Sequence, residues 1–265
     1  MGYYTLSEQK TEIEIHKIIQ YLGAAANSFL AHKRDDSHTS LVSLTDCGCI
    51  ATQFLNTDRH QLAFNYEAFA LEWWDFSGEK IRYPLHQKTH KEVVAWISQK
   101  ARENDISKPF NPLMHYELPY ETITDDYVYL MDNPQRLKEL MHYRILAHIA
   151  LENTLESHKP HSAIRVWPHH FDIGSIYMLN KHKGHTIGIG MAIPDELEDQ
   201  FYFYVKGYTH NQTIATDALE ELEYGNWNAQ WQGAIYPMDD EVTIEKATHF
   251  FNQAINILKS QGRIH

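Results

Sequence analysis

The sequence predicts an α+β fold, mainly antiparallel sheet packed by long helices, and three observations predict it. Helical periodicity is confined to a few long segments. Between them, short β-like runs follow one another without intervening helices, which favours antiparallel meanders over doubly wound alternation. The order helix, several strands, helix also occurs twice. The 265 residues therefore read as a single domain, 1–265, built from two αβββ(β)α halves related by a weak duplication. Those halves are 7–108 and 132–262, joined by an irregular Tyr-rich connector over 109–131.

The elements follow in order. A first helix starts after Ser7, because Ile15, Ile18, Ile19, Leu22, Ala26, Phe29 and Leu30 recur at helical spacing and give one buried face. The polar run from His32 to Ser37 ends it. Strands are expected over 40–45 and 49–55 around a turn at Asp46-Cys47-Gly48. Two aromatic-rich runs, 62–66 and 69–74, suit half-buried strands, and Phe76-Ser77-Gly78-Glu79 turns the chain into 80–85. Thr89 and Glu92 form a capping-box pattern for a helix carrying Val93, Val94, Trp96, Ile97 and Ala101. Lys108-Pro109-Phe110-Asn111-Pro112 breaks structure and opens the connector.

Asp132 or Asn133, with Pro134 in the first turn, starts the longest helix. Its stripe holds Leu137, Leu140, Met141, Leu151 and Leu155, and Arg144 and His148 fall near the middle of that stripe at 100° per residue. β runs resume at 163–167, 171–178, 186–192, 201–208 and 230–236, with 220–224 ambiguous. Asp239 or Asp240 is expected to cap a last helix containing Ile244, Ala247, Phe251, Ala254, Ile255 and Leu258, which Gly262 closes.

Composition narrows the function classes. Lys and Arg total 23 against 35 Asp and Glu, a formal charge of −12. That balance opposes binding to phosphate backbones, so no nucleic-acid partner is expected. No run reaches the ~18–20 apolar residues of a membrane span, and the first residues carry no signal-peptide pattern, so neither a membrane partner nor export is expected. Cys47 and Cys49 flank one glycine; bridging them would close a strained ring, and a reduced, cytoplasmic setting is the simpler reading. Most of the 18 histidines stand singly (His16, His32, His38, His60, His86, His90), for which solvated or capping roles are expected. Phosphate-loop, nucleophile-elbow, His-Glu-x-x-His and dinucleotide patterns are absent.

The main candidate site is the segment Trp167-Pro168-His169-His170-Phe171-Asp172 inside an apolar run. Polar groups buried there are either paired or used, because an unpaired one costs roughly 1–3 kcal/mol. If the segment is extended, His170 and Asp172 share one face while His169 and Phe171 share the other. An imidazole and a carboxylate so placed could share a divalent metal, or act as base and orienter. The blander reading is a hydrogen-bonded cluster that pins a strand, since a full metal site needs three or four ligands. Arg144 on an apolar helix face needs an anion, either an internal carboxylate such as Asp172 or an acidic ligand. Together with His148 it would complete a site of Arg144, His148, His170 and Asp172. Gly188-Ile189-Gly190 leaves one sheet face bare for a backbone, a ring or a ligand. Tyr204 in Phe201-Tyr202-Phe203-Tyr204, and Trp227, are the expected aromatic lining, with core packing as the alternative.

The order Val166-Trp167-Pro168-His169-His170-Phe171-Asp172, Ile187-Gly188-Ile189-Gly190, Tyr202-Phe203-Tyr204-Val205 and Trp227 through Gly233-Ala234 resembles a group of uncharacterised bacterial proteins. It resembles more distantly a domain family of unknown function, in which a Trp-x-x-Phe-Asp strand precedes an aromatic strand and a C-terminal helix. The resemblance covers about 160–260 and implies no activity. Asn228 stands where the nearer relatives more often carry His, which weakens a ligand role for the tryptophan segment.

These observations favour a small-ligand-binding protein, with a small anionic ligand and no resident cofactor. A metal-assisted or His/Asp-dependent hydrolase-like enzyme using His170 and Asp172 is the second reading. A structural module whose aromatic surface joins a homo-oligomer is the third.

Overall fold

Helical periodicity is realised in α1 (Leu6–Phe29), α2 (His90–Glu103), α3 (Pro134–His158) and α4 (Ile244–Gln261). These belong to a computed structural model that describes residues 6–158, 162–180, 184–210 and 212–261. α2 starts on a complete capping box: Glu92 N–H donates to Thr89 Oγ1 at 3.2 Å, and Thr89 N–H donates to Glu92 Oε2 at 2.8 Å. Asn133 caps α3, its Oδ1 accepting from Arg136 N–H at 3.0 Å, with Pro134 in the first turn. The start of α4 differs from expectation. Thr243 Oγ1 accepts from Lys246 N–H at 3.3 Å, while Asp239 holds the preceding turn by accepting from Glu241 N–H at 2.9 Å. Gly262 lies outside the described residues.

Two antiparallel sheets confirm the α+β class. The first is a plain meander of β1 (Val42–Leu44), β2 (Cys49–Ala51), β3 (Gln61–Asn65), β4 (Ala70–Trp74) and β5 (Lys80–Pro84). Leu62, Phe64, Leu71 and Trp73 alternate onto one buried face, and α1 packs on this sheet at β3. Cys49, Ala51, Ala63 and Trp74 form an apolar cluster on the other. The second sheet contains β6 (Arg165–Val166), β7 (Ile173–Asn180), β8 (His185–Ala192), β9 (Tyr202–Thr209), β10 (Gln212–Thr213), β11 (Asn226–Asn228) and β12 (Gly233–Pro237). Its order is β11-β12-β9-β8-β7-β6, with β10 pairing β9. Ile187, Ile189, Met191, Phe203 and Val205 bury one face, where Phe203 meets Phe251 of α4 edge-on at 5.4 Å. The ambiguous run at 220–224 is not a strand; β11 follows it instead.

The chain divides into two compact units, Met1–Tyr143 with Val166–Phe171, and Arg144–Arg165 with Asp172–His265. The segment 109–131, expected to join two halves, belongs within the first unit. There Thr89 bridges Val128, and Gln87 N–H donates to Tyr129 O at 2.8 Å. Among the described residues no helix is long and apolar enough to cross a membrane.

Candidate functional site

The Trp167–Asp172 segment, whose residues Trp167–Phe171 belong to the first unit and Asp172 to the second, is not the extended strand that its apolar flanks suggested. Pro168, His169 and His170 form a turn, closed by Phe171 N–H donating to Trp167 O at 2.7 Å. Phe171 adopts φ 54°, the left-handed region that a bulky residue enters only at a cost of about 1–3 kcal/mol. Pro168 has no N–H to give a ladder, so the chain departs from the sheet here and resumes at Ile173. The alternation that paired His170 with Asp172 is thereby lost. His169 and His170 instead lie side by side, both exposed, with ring centroids 4.2 Å apart.

The foundation of this turn is built by α1. His16, Gln20 and Gly23 lie on one helical stripe. His16 Nε2 and Gln20 Nε2 each lie 2.8 Å from the Pro168 carbonyl oxygen, and a Cβ on Gly23 would fall 3.0 Å from the Pro168 ring. His16 is 2% exposed and stacks on Phe171 at 5.1 Å. From the Tyr-rich segment, Tyr120 Oη lies 3.2 Å from His16 Nδ1, and Tyr116 O–H donates to Gln20 Oε1 at 2.7 Å. The Tyr116 ring also packs against His169 at 5.6 Å, and His115 pairs with Asp36 at 3.1 Å. Partial desolvation of the ring on the side that Tyr116 covers pushes His169 down to about 4, with the His170 and His115 charges acting the same way and Asp36 opposing them. The turn therefore offers a neutral imidazole near pH 7.

The solvated or capping roles expected for the single histidines divide: His32 and His86 are exposed, with His32 Nε2 2.9 Å from the Asn27 carbonyl oxygen near the end of α1. His16, His38 and His60 are buried; His38 Nε2 contacts Asn27 Oδ1 at 3.1 Å and His60 Nδ1 contacts Asn56 Oδ1 at 3.1 Å. His16, Gln20, Tyr116 and Tyr120 are the site residues that sequence reasoning missed. The signal was present: two polar residues and a glycine, spaced four and three apart, inside an otherwise apolar helix stripe.

The other candidates fall in the second unit. Tyr204 O–H donates to Asp172 Oδ2 at 2.8 Å, and burial with the Asp172 charge raises the phenol well above its usual pKa. The bare sheet face is filled by the protein itself. Gly174 and Gly190 are cross-strand partners, and a Cβ on either would run into the Tyr204 hydroxyl, at 2.8 Å and 2.5 Å. Gly233 makes the same kind of room for Trp231, over whose ring Lys206 Nζ sits at 4.3 Å. Trp227 does not share this face. It pairs with Ala234 and so points opposite to Tyr204, which is in register with Ile235. Its indole N–H donates to Glu220 O at 2.8 Å, and it lines a cavity of about 450 Å³ with Asp217, Glu221 and Asn226. The acidic lining of that cavity opposes an anion.

Arg144 is 4% exposed on α3, and His148 Nδ1 is buried without a hydrogen-bond partner among the described residues. His170 belongs to the first unit, and Arg144, His148 and Asp172 belong to the second, so neither unit alone holds the four-residue site. Among the described residues no group of three or more His, Cys, Asp and Glu is placed to hold a metal ion.

The chain matches no protein-family model, no curated protein and no solved structure.

Proposed function

We propose that this protein binds a small anionic ligand at the histidine turn of its first unit, with His169 and His170 as the contacting groups. The observation that carries the reading is the pair of exposed imidazoles 4.2 Å apart on a turn whose base is fixed by buried His16 and Gln20. Side chains of a binding site act well when a second layer locks their geometry, and this turn has such a layer. Two imidazolium ions this close repel one another, and the His170 charge is among the causes that hold His169 neutral. An anion bridging the rings removes that repulsion, so ligand binding draws a proton onto His169.

Calorimetric titration of the full chain with inorganic phosphate, in buffers of different ionisation enthalpy, tests the reading. Saturable binding with proton uptake near pH 7 is expected, weakened at least about tenfold in His169→Gln and His170→Gln, since loss of a hydrogen bond to a charged group costs roughly 1.5–3 kcal/mol. Both imidazoles are exposed, so circular dichroism of the two variants should match the parent. Absence of saturable binding overturns the proposal. Stoichiometric Zn(II) at these two histidines without anion binding also overturns it and assigns the turn to the metal-assisted reading.

A further inference from the structure

A second cluster, independent of the histidine turn, lies on the other face of the first sheet. Cys47 and Cys49 are both free and both pack into the apolar cluster of Leu44, Ala51, Ala63 and Trp74. Gly48 between them is left-handed at φ 57°, which folds the two thiols toward each other. The Cys49 sulfur lies 3.2 Å from the Cys47 carbonyl oxygen and within hydrogen-bonding reach of the Cys47 sulfur. A third sulfur arrives from α3, because Met141 Sδ packs over Gly48 so closely that a Cβ there would clash with it. Only glycine admits the thioether there.

The oxygen donors of this face are already committed. Glu72 is fully buried, and its Oε1 accepts from Asn65 at 3.2 Å and Arg82 at 2.8 Å, while its Oε2 accepts from the Trp74 indole at 2.8 Å. Lys80, whose Nζ lies 4.2 Å over the Trp74 ring, supplies positive charge to both cysteines. What remains for a ligand is two thiols and a thioether beside the apolar cluster, with a compensating ammonium. We propose that Cys47, Cys49 and Met141 form a three-sulfur site for a soft monovalent d¹⁰ cation, with Cu(I) as the ion whose preference for thiolate and thioether ligands the set matches.

The test is a titration of the reduced full chain with Cu(I) under anaerobic conditions, against a chromogenic Cu(I) chelator. One Cu(I) per chain is expected, with loss of both free thiols to a thiol reagent on binding. Met141→Leu conserves volume and keeps the fold, and it should weaken binding by more than the roughly 10–100-fold that loss of a mere supporting group costs a metal site. Cys47→Ser, at the half-buried position, should abolish it. Met141→Leu binding Cu(I) as tightly as the parent overturns the three-sulfur site. So does Zn(II) uptake in preference to Cu(I), and so does a reduced chain with two titratable thiols that takes up no Cu(I). None of these outcomes bears on His169 or His170, so this proposal and the anion site stand or fall separately.

Discussion

Gly188 and Gly190 lie two apart on β8 and face the same side of the sheet, yet they carry different constraints. A Cβ on Gly190 would sit 2.5 Å from both the Ile173 carbonyl oxygen and the Tyr204 hydroxyl. The first of these is backbone, so it cannot swing away. A Cβ on Gly188 meets nothing closer than 3.9 Å. Gly190→Ala should therefore destabilise by about 3 kcal/mol, the upper end of overpacking costs, whereas Gly188→Ala should stay within about 0.5 kcal/mol. Urea denaturation of the two variants checks the contrast, and equal midpoints would contradict the fit of Tyr204 over the paired glycines. Phe171 shows the reverse balance. Its left-handed backbone costs about 1–3 kcal/mol, yet the ring is 2% exposed and stacked on His16. Burying such a ring is worth about 3–5 kcal/mol on the scale of Phe→Ala losses, so packing overrides backbone preference and the turn persists.

Helix starts are where local sequence acts most directly. At α2 the Thr89 hydroxyl and the Glu92 carboxylate satisfy one another's backbone donors, and the same carboxylate accepts from Thr89 Oγ1 at 2.9 Å. Replacing Thr89 by Ala should cost about 1 kcal/mol, and Thr89→Ser should restore most of it, measured as the shift in denaturation midpoint. α1 has a different design. Its apolar stripe is interrupted by His16, Gln20 and Gly23, and these three seat the Pro168 turn. The interruption makes α1 a scaffold for the candidate site as well as a core helix. Polar atoms in that seat are tolerated because each has a partner, in accordance with the cost of burying them unpaired.

Across the whole molecule, burial lowers the pKa of His38, His90, His148, His158 and His169 below the usual 6.5, with His169 down to about 4. A base whose folded pKa is depressed binds fewer protons folded than unfolded. Its contribution to stability is complete above 6.5 and is lost as pH falls through the folded value. Glu14 works the other way, since burial raises its carboxyl and protonation relieves it. Five imidazoles against one carboxyl make stability fall on acidification from about pH 7 to about pH 4.5, read as a declining urea midpoint. His169→Gln should flatten that decline, and a midpoint that rises over this window would refute the assignment.

Local sequence is enough for the α+β class, the four helices, most strands of the two sheets, and the caps at Thr89 and Asn133. These follow from periodicity, turn residues and hydrogen-bonding side chains a few positions apart, all local quantities. It also marked Trp167 to Asp172 as the segment to inspect. The conformation of that segment depends on contacts distant in sequence. The apolar runs on either side allow an extended segment between them, but Pro168 and the left-handed Phe171 turn the chain, and the turn is stabilised by His16, Gln20 and Tyr116, whose distance in sequence hides their contact. Tertiary structure likewise decided that Tyr204 covers the paired glycines while Trp227 faces away. Register between strands fixes which face a side chain takes, and no local pattern around Trp227 carries that information. Met141 reaching Gly48 from another element is of the same kind: close approach across the fold depends on the whole packing, and a single sequence shows only the glycine that allows it.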